Sequence, residues 1–193
     1  MAMAFAPVQD ADRQRAVDVL VTAFAADPVI RWFYPEAHGY LTHFPSFLTA
    51  FGGKAFDADT VWSLGEFSAV ALWFPPHVEP DGDAVVAVIT ETVAPELHAD
   101  LFAVLAEMDT AHPRFPHWYL PWFGVDAARQ GMGLGGELMR HCLLKIDEGH
   151  LPAYLESPNP RNLSFYERHG FEVTGSSQAG ACPPVYSMLR AAR

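Results

Sequence analysis

The run "DAARQGMGLGGELM", residues 126–139, constrains this chain more than any other stretch. Gly131, Gly133 and Gly135 alternate just before "GLGGELMRHCLLKI", where Leu134, Leu138, Cys142 and Ile146 recur every fourth residue with Met139 and Leu143 beside them. That spacing predicts an amphipathic helix. Glycine costs a helix about 1 kcal/mol relative to alanine, so three of them at its start call for a reason beyond close packing on a sheet. Bare backbone at a helix N-terminus offers unpaired N–H groups and the positive end of the dipole to an anion, and Arg129 adds a charge nearby. The β-like run "HWYLPWFGV", His117 to Val125, lies immediately upstream, so the loop joins a strand to a helix.

The other elements fit an α/β chain. "DRQRAVDVLVTAF" places Ala16, Val17, Leu20, Val21 and Phe24 on one helical face over 12–24, ending near Asp27-Pro28. The aromatic stretch that follows is interrupted by Pro35, Gly39 and Pro45 and reads as short helices and loops. "TVWSLGEFSAVALWF" reads as two strands around a turn at Gly65-Glu66, and 83–93 and 95–108 as two helices meeting near Pro95. "PAYLE" is a short strand. Asn159-Pro160 starts a helix through "RNLSFYERH" that Gly170 ends, and "FEVTG" and "VYSMLR" supply two last strands.

Composition narrows the setting. At 193 residues with 50% hydrophobic content the chain fits one domain, without repeats or an obvious linker. No apolar run approaches the roughly 18 residues of a membrane span, and the start lacks the pattern of a signal peptide. Two cysteines without C-x-x-C spacing build neither a disulfide framework nor a metal site, so a reduced, cytoplasmic protein without metal is expected. A formal charge of −11 argues against nucleic acid, suits a cationic substrate, and leaves any polyanionic ligand dependent on local N–H groups and arginines.

Two ligands compete for the glycine loop. Read from Gly131 it is G-x-G-x-x-G, the turn of a dinucleotide fold, and Glu156 stands 20 residues past Gly136, where a ribose-binding acid belongs. Against this, the polar spacer from Asp126 to Gln130 separates Val125 from Gly131, whereas in that fold the first glycine turns directly off the strand. Only 57 residues follow Gly136, too few for the rest of a doubly wound sheet, and the upstream half lacks alternating β-α units. Read from Gln130, the run is Q-x-x-G-x-G.

Taken with "AYLESPNPRNLSFYERHGFEV", that second reading resembles the two signature segments of the GNAT superfamily of coenzyme A-dependent N-acetyltransferases. Gln130, Gly133 and Gly135 form one motif; Asn162, Phe165, Tyr166, Glu167, Gly170 and Phe171 form the N-x-x-F/Y-Y-E-x-x-G-F of the other. The likeness covers about 117–189. Upstream, "AFAADPVIRWFYPE" and "SAVALWFPP" resemble the puromycin N-acetyltransferase-like branch.

The resemblance implies a mixed α/β (α+β) fold with helices on both faces of a central sheet that splays between its fourth and fifth strands, here His117 to Val125 and Ala153 to Glu156. A single domain over 1–193 would divide into an acceptor part at about 1–116 and an acetyl-CoA core at about 117–193. Pro121 cannot donate to a ladder and so belongs at a bulge or open edge, which splaying requires. By the same resemblance Phe123, Gly124 and Val125 contact the pantetheine arm of acetyl-CoA, while Arg129, Gln130, Gly131, Met132, Gly133, Leu134, Gly135 and Gly136 surround its pyrophosphate. Asn162 touches the cofactor from the last helix, and Tyr166 protonates the departing thiolate. Glu156 is the leading candidate for general base, ahead of His117, Glu36 and Asp27.

The acceptor is expected to be a small-molecule primary amine bound among aromatics of the Trp32 to Phe51 segment with Trp73, Trp118, Tyr119 and Trp122, attacked directly in a ternary complex. Most of the 14 Phe, 5 Trp and 6 Tyr residues are core in any reading. Acylation of a protein N-terminus or lysine, and a non-catalytic acyl-CoA sensor, are the alternatives; a monomer or homodimer is expected.

Overall fold

The computed structural model describes residues 3–193. Along the chain run β1 (Phe5–Pro7), α1 (Arg13–Ala23), α2 (Pro28–Phe33), α3 (Ala37–Gly52), α4 (Lys54–Asp57), β2 (Val61–Leu64), β3 (Ala69–Phe74), α5 (Gly82–Thr92) and α6 (His98–Ala111). Then follow β4 (Trp118–Val125), α7 (Leu134–Asp147), β5 (Ala153–Ser157), α8 (Leu163–Glu167), β6 (Glu172–Ser177) and β7 (Val185–Arg190). The strands form one sheet in the order β1-β2-β3-β4-β5-β7-β6. Among the described residues no helix is long and apolar enough to cross a membrane.

Among the described residues only β4 and β5 pair in parallel, over Trp118–Leu120 against Ala153–Leu155. Beyond that point β4 keeps β3 on one side, while Glu156 and Ser157 pair with β7. The sheet therefore opens between its fourth and fifth strands. The opening begins at a register shift: Leu72 pairs with Trp122 but Phe74 with Tyr119, so β4 fits an extra residue into the interval that holds Pro121. A bulge inverts the alternation of faces. Tyr119 and Trp122, three apart, consequently pack into the same apolar cluster.

Helices cover both faces. Val70, Leu72, Phe74, Tyr119, Trp122 and Tyr154 pack with the helices of the first half. Ala69, Ala71, Trp73, Leu120, Ala153 and Leu155 pack with α7 and α8. On α7 all six residues of the predicted stripe, from Leu134 to Ile146, are buried.

Two expectations need correction. The stretch read as short helices and loops contains a continuous helix, α3, running through Gly39 and Pro45. Tyr40, Phe44, Phe47 and Leu48 are buried along one side of it, and that burial outweighs the poor propensity of the two interruptions. Strand β1 was not anticipated. Its three residues are too few for a periodic signal, and they are strand because they pair with β2.

The end of α7 is tied to β7 by a two-pronged ion pair, Arg190 Nη1 to Asp147 Oδ1 at 2.7 Å and Nη2 to Oδ2 at 2.8 Å. Arg190 is buried and also donates from Nε to His169 O at 3.2 Å. Asp147→Ala strands that guanidinium, and a loss of about 3 kcal/mol is expected in urea unfolding. The hydrogen bond from Arg190 holds the Asp147 carboxyl below its usual range. A depressed folded pKa means that the pair stabilises fully above the ordinary carboxylate range and that this contribution is lost as pH falls through the lowered value. The difference between wild type and variant should therefore shrink only in strong acid.

Candidate active site

The glycine loop leaves β4 at Val125. Asp126 Oδ1 accepts from Ala128 N at 2.9 Å and Gln130 Nε2 donates to Val125 O at 3.3 Å, which folds the polar spacer into one tight turn. Gly131 and Gly133 have φ of 77° and 80°, a region costly to residues with a Cβ, and a Cβ on either would meet nothing within 4 Å. The loop is thus open as well as left-handed. Glu137 N donates to Gly133 O at 3.1 Å, so the amides of Leu134, Gly135 and Gly136 precede the first bond of the helix and remain free for an anion.

That loop walls a groove of ≈ 600 Å³. Phe123, Gly124 and Val125 form its strand side; Arg129, Gln130, Gly131 and Gly133 to Gly136 form one end; Asn162, Phe165 and Tyr166 close it from α8 and the turn before it. Met132 is the exception among the expected residues: flanked by two left-handed glycines, it is 69% exposed and does not line the groove. Arg161 and Arg168, which sequence reasoning passed over, do line it. Arg129 Nη1 donates to Ser68 Oγ at 2.6 Å, fixing the loop against the β2–β3 turn. Free amides, three arginines and a strand edge without a partner suit a pyrophosphate that continues into an extended amide-bearing arm.

A second cavity of ≈ 100 Å³ lies on the face of the sheet covered by α1, α2, α3 and α6. Phe33, Phe47, Phe51, Leu105, Met108 and Trp122 give it apolar walls, and Glu156 lines it too. Trp122 is held by an edge contact to Phe24, with centroids 5.0 Å apart, and by a bond from Nε1 to Leu48 O at 3.1 Å. The expected pocket needs correction here. Trp73 and Trp118 pack on the opposite face, where strand alternation sends them, and Trp32 packs at the margin of the core without lining the cavity.

The groove and the cavity share Phe24, Asp27, Phe123, Asn162 and Tyr166. Tyr166 is buried, and that burial, followed by the nearby Asp27 carboxylate, pushes its phenol above the usual value, so it stays protonated. Asp27 caps α2, accepting from Val29 N at 3.0 Å and Ile30 N at 3.1 Å. It is only 7% exposed, and burial overrides those two amides to push its carboxyl up to about 6.

Glu156 sits just past the point where β5 leaves β4, with its side chain only 5% exposed. Tyr119 donates to Oε2 at 2.6 Å and Tyr154 to Oε1 at 3.0 Å; His112 Nδ1 lies 3.8 Å from Oε1. Tyr119 and Tyr154 face each other across the β4–β5 pair, which is why two phenols converge on one carboxylate. Burial, then the charge of Glu156, raises both phenols and keeps them as donors. His117 is bonded to His112 and to Phe115 O, away from the cavity, while Glu36 is exposed at the start of α3 and lines neither space. Tyr119 was expected only as a wall, and Tyr154 and His112 were missed; the period-2 pairing of Tyr154 with Glu156 was the available signal.

Comparison with known proteins agrees with this architecture. Residues 84–173 match the family described as Acetyltransferase (GNAT) domain. An uncharacterized N-acetyltransferase of Schizosaccharomyces pombe is 27% identical over 191 residues, covering 88% of this chain and 74% of that protein. The Corynebacterium glutamicum histone acetyltransferase HPA2 and related acetyltransferase superposes with a TM-score of 0.72 at 25% identity, over 100% of this chain and 98% of that one. Arylalkylamine N-acetyltransferase 2 of Aedes aegypti shares the fold at a TM-score of 0.68 and 13% identity, over 98% of each chain. The splayed sheet, the loop at the head of α7 and these likenesses lead to one conclusion: the chain has the GNAT fold, and its residues 84–173 are similar to the GNAT acetyltransferase domain.

Proposed function

We propose that the protein transfers the acetyl group of acetyl-CoA to the primary amine of a small molecule by direct attack in a ternary complex. The observation that carries this reading is the meeting of the two spaces at Tyr166: an anion-suited groove enters from one side and an apolar cavity with a buried carboxylate from the other. Bound there, acetyl-CoA supplies an activated acyl group as a thioester.

This chain's residues do the rest. The amides of Leu134, Gly135 and Gly136, with Arg129, Arg161 and Arg168, hold the phosphates, and the open edge of β4 at Phe123 to Val125 aligns the arm. Asp27, at the junction, draws the cationic amine inward. Glu156, oriented by two phenols, takes the proton that must leave before nitrogen can attack. Tyr166 donates to the departing sulfur. Its raised phenol is a weaker acid than one in water, but a thiolate leaving into the same dry space is correspondingly a stronger base.

The narrow, aromatic-walled cavity favours a compact amine with an apolar body, which the upstream resemblance to the puromycin-type branch and the arylalkylamine activity named for the Aedes aegypti neighbour also support. Release of free thiol from acetyl-CoA should be measured against aryl and alkyl amines, polyamines and a lysine-bearing peptide. Turnover is expected with at least one compact apolar amine and not with the peptide. Turnover with the peptide alone would move the assignment to a protein acetyltransferase, and none with any acceptor would favour an acyl-CoA sensor.

A further inference from the structure

Behind Glu156, on the side away from the cavity, stand two histidines whose hydrogens the geometry fixes. Phe115 O lies 2.8 Å from His117 Nδ1, and a carbonyl only accepts, so His117 carries its hydrogen on Nδ1. In the neutral ring Nε2 then has the lone pair. His112 Nε2 is 3.0 Å from it and must be the donor. Neutral His112 is thereby left with its lone pair on Nδ1, the atom that faces Glu156 at 3.8 Å.

The ring is held in that attitude. It meets Tyr119 at 89° and Tyr154 at 70°, both with centroids 4.8 Å away. The titratable groups facing it are Glu156 and Tyr154 from β5, Tyr119 from β4 and His117 from the connection after α6. Both phenols are already committed as donors to Glu156. His112 also stands at the C-cap of α6, so its backbone is fixed by the end of that helix.

We propose that His112 is a positioning residue that takes over the acceptor's proton from Glu156, and that His117 sets the tautomer that allows it. The proposal rests on the acetyl-transfer reading above. An N–H bond of the substrate ammonium breaks and the proton passes to the Glu156 carboxylate; that O–H bond then breaks as an N–H bond forms at His112 Nδ1, across a gap that a small rotation of the carboxylate closes. The amine is left neutral with its lone pair, Glu156 is again a carboxylate, and the positive charge rests on His112, outside the cavity. A buried glutamate would otherwise have to hold that proton beside the nucleophile it has just freed.

Two measurements test this. Nitrogen NMR of the ¹⁵N-labelled histidine rings, which needs no turnover, should find neutral His112 as the Nε2–H tautomer and His117 as the Nδ1–H tautomer. His112 hydrogenated at Nδ1 would overturn the proposal. In the pH–rate profile, His112→Gln should lower kcat about tenfold and abolish the limb set by the imidazole, with KM for acetyl-CoA unchanged. His117→Gln, whose side-chain oxygen can accept the His112 Nε2–H, should retain the limb, and His117→Leu should lose it. An unaltered profile in His112→Gln would also overturn the proposal. Wild type inactive on every amine would instead refute acetyl transfer, and the tautomers would still be readable.

Discussion

Tyr166→Phe is expected to lower kcat about 100-fold while leaving the affinity for acetyl-CoA and the stability of the fold nearly unchanged. Among the described residues the phenol makes no side-chain hydrogen bond; its ring packs against Phe165 and Phe171 with centroids 5.1 and 6.0 Å away, and phenylalanine keeps both contacts. Only the proton donor disappears, at the point where groove and cavity meet. Rapid-quench kinetics should place the loss in the chemical step. A turnover number equal to wild type would show that the thiolate is protonated by another group and that Tyr166 is only a core aromatic.

Glu156→Gln should have an effect of similar size, about 100-fold on kcat, with the pH dependence that reports the base removed. The substitution preserves shape but offers Tyr119 and Tyr154 one acceptor oxygen and one N–H donor where the carboxylate offered two acceptors. KM for the amine is read in the same experiment: a loss confined to binding would mark Glu156 as an anchor for the ammonium. If Glu156→Gln keeps its pH limb, the role passes to Asp27, whose carboxyl burial lifts to about 6, a value well matched to a base near neutrality.

Much of the second half was legible in the sequence because local chemistry decides it. The fourfold spacing from Leu134 to Ile146 survives as the buried face of α7, and Gly170, placed to end α8, has a φ of 89°. Pro121 shows most clearly what one residue can reveal. Its missing N–H pointed to a break in pairing, and the register shift and the end of the β4–β5 ladder fall around it.

The arrangement around Glu156 was not legible in the same way. Whether Tyr119 and Trp122 share a face depends on the bulge between them, and a strand's period alone puts residues three apart on opposite faces. His112 reaches Glu156 from the end of α6, more than 40 residues upstream, through packing that no local pattern encodes. The error at α3 has a related cause: proline and glycine report local cost, whereas the four buried residues that sustain the helix draw their stabilisation from the rest of the core.

The ligand of the glycine loop decides the function, and calorimetric titration of the protein with acetyl-CoA, with NAD as the comparison, identifies that ligand most directly. Saturable 1:1 binding of acetyl-CoA with no heat from NAD is the result predicted. Binding of NAD without acetyl-CoA would contradict it.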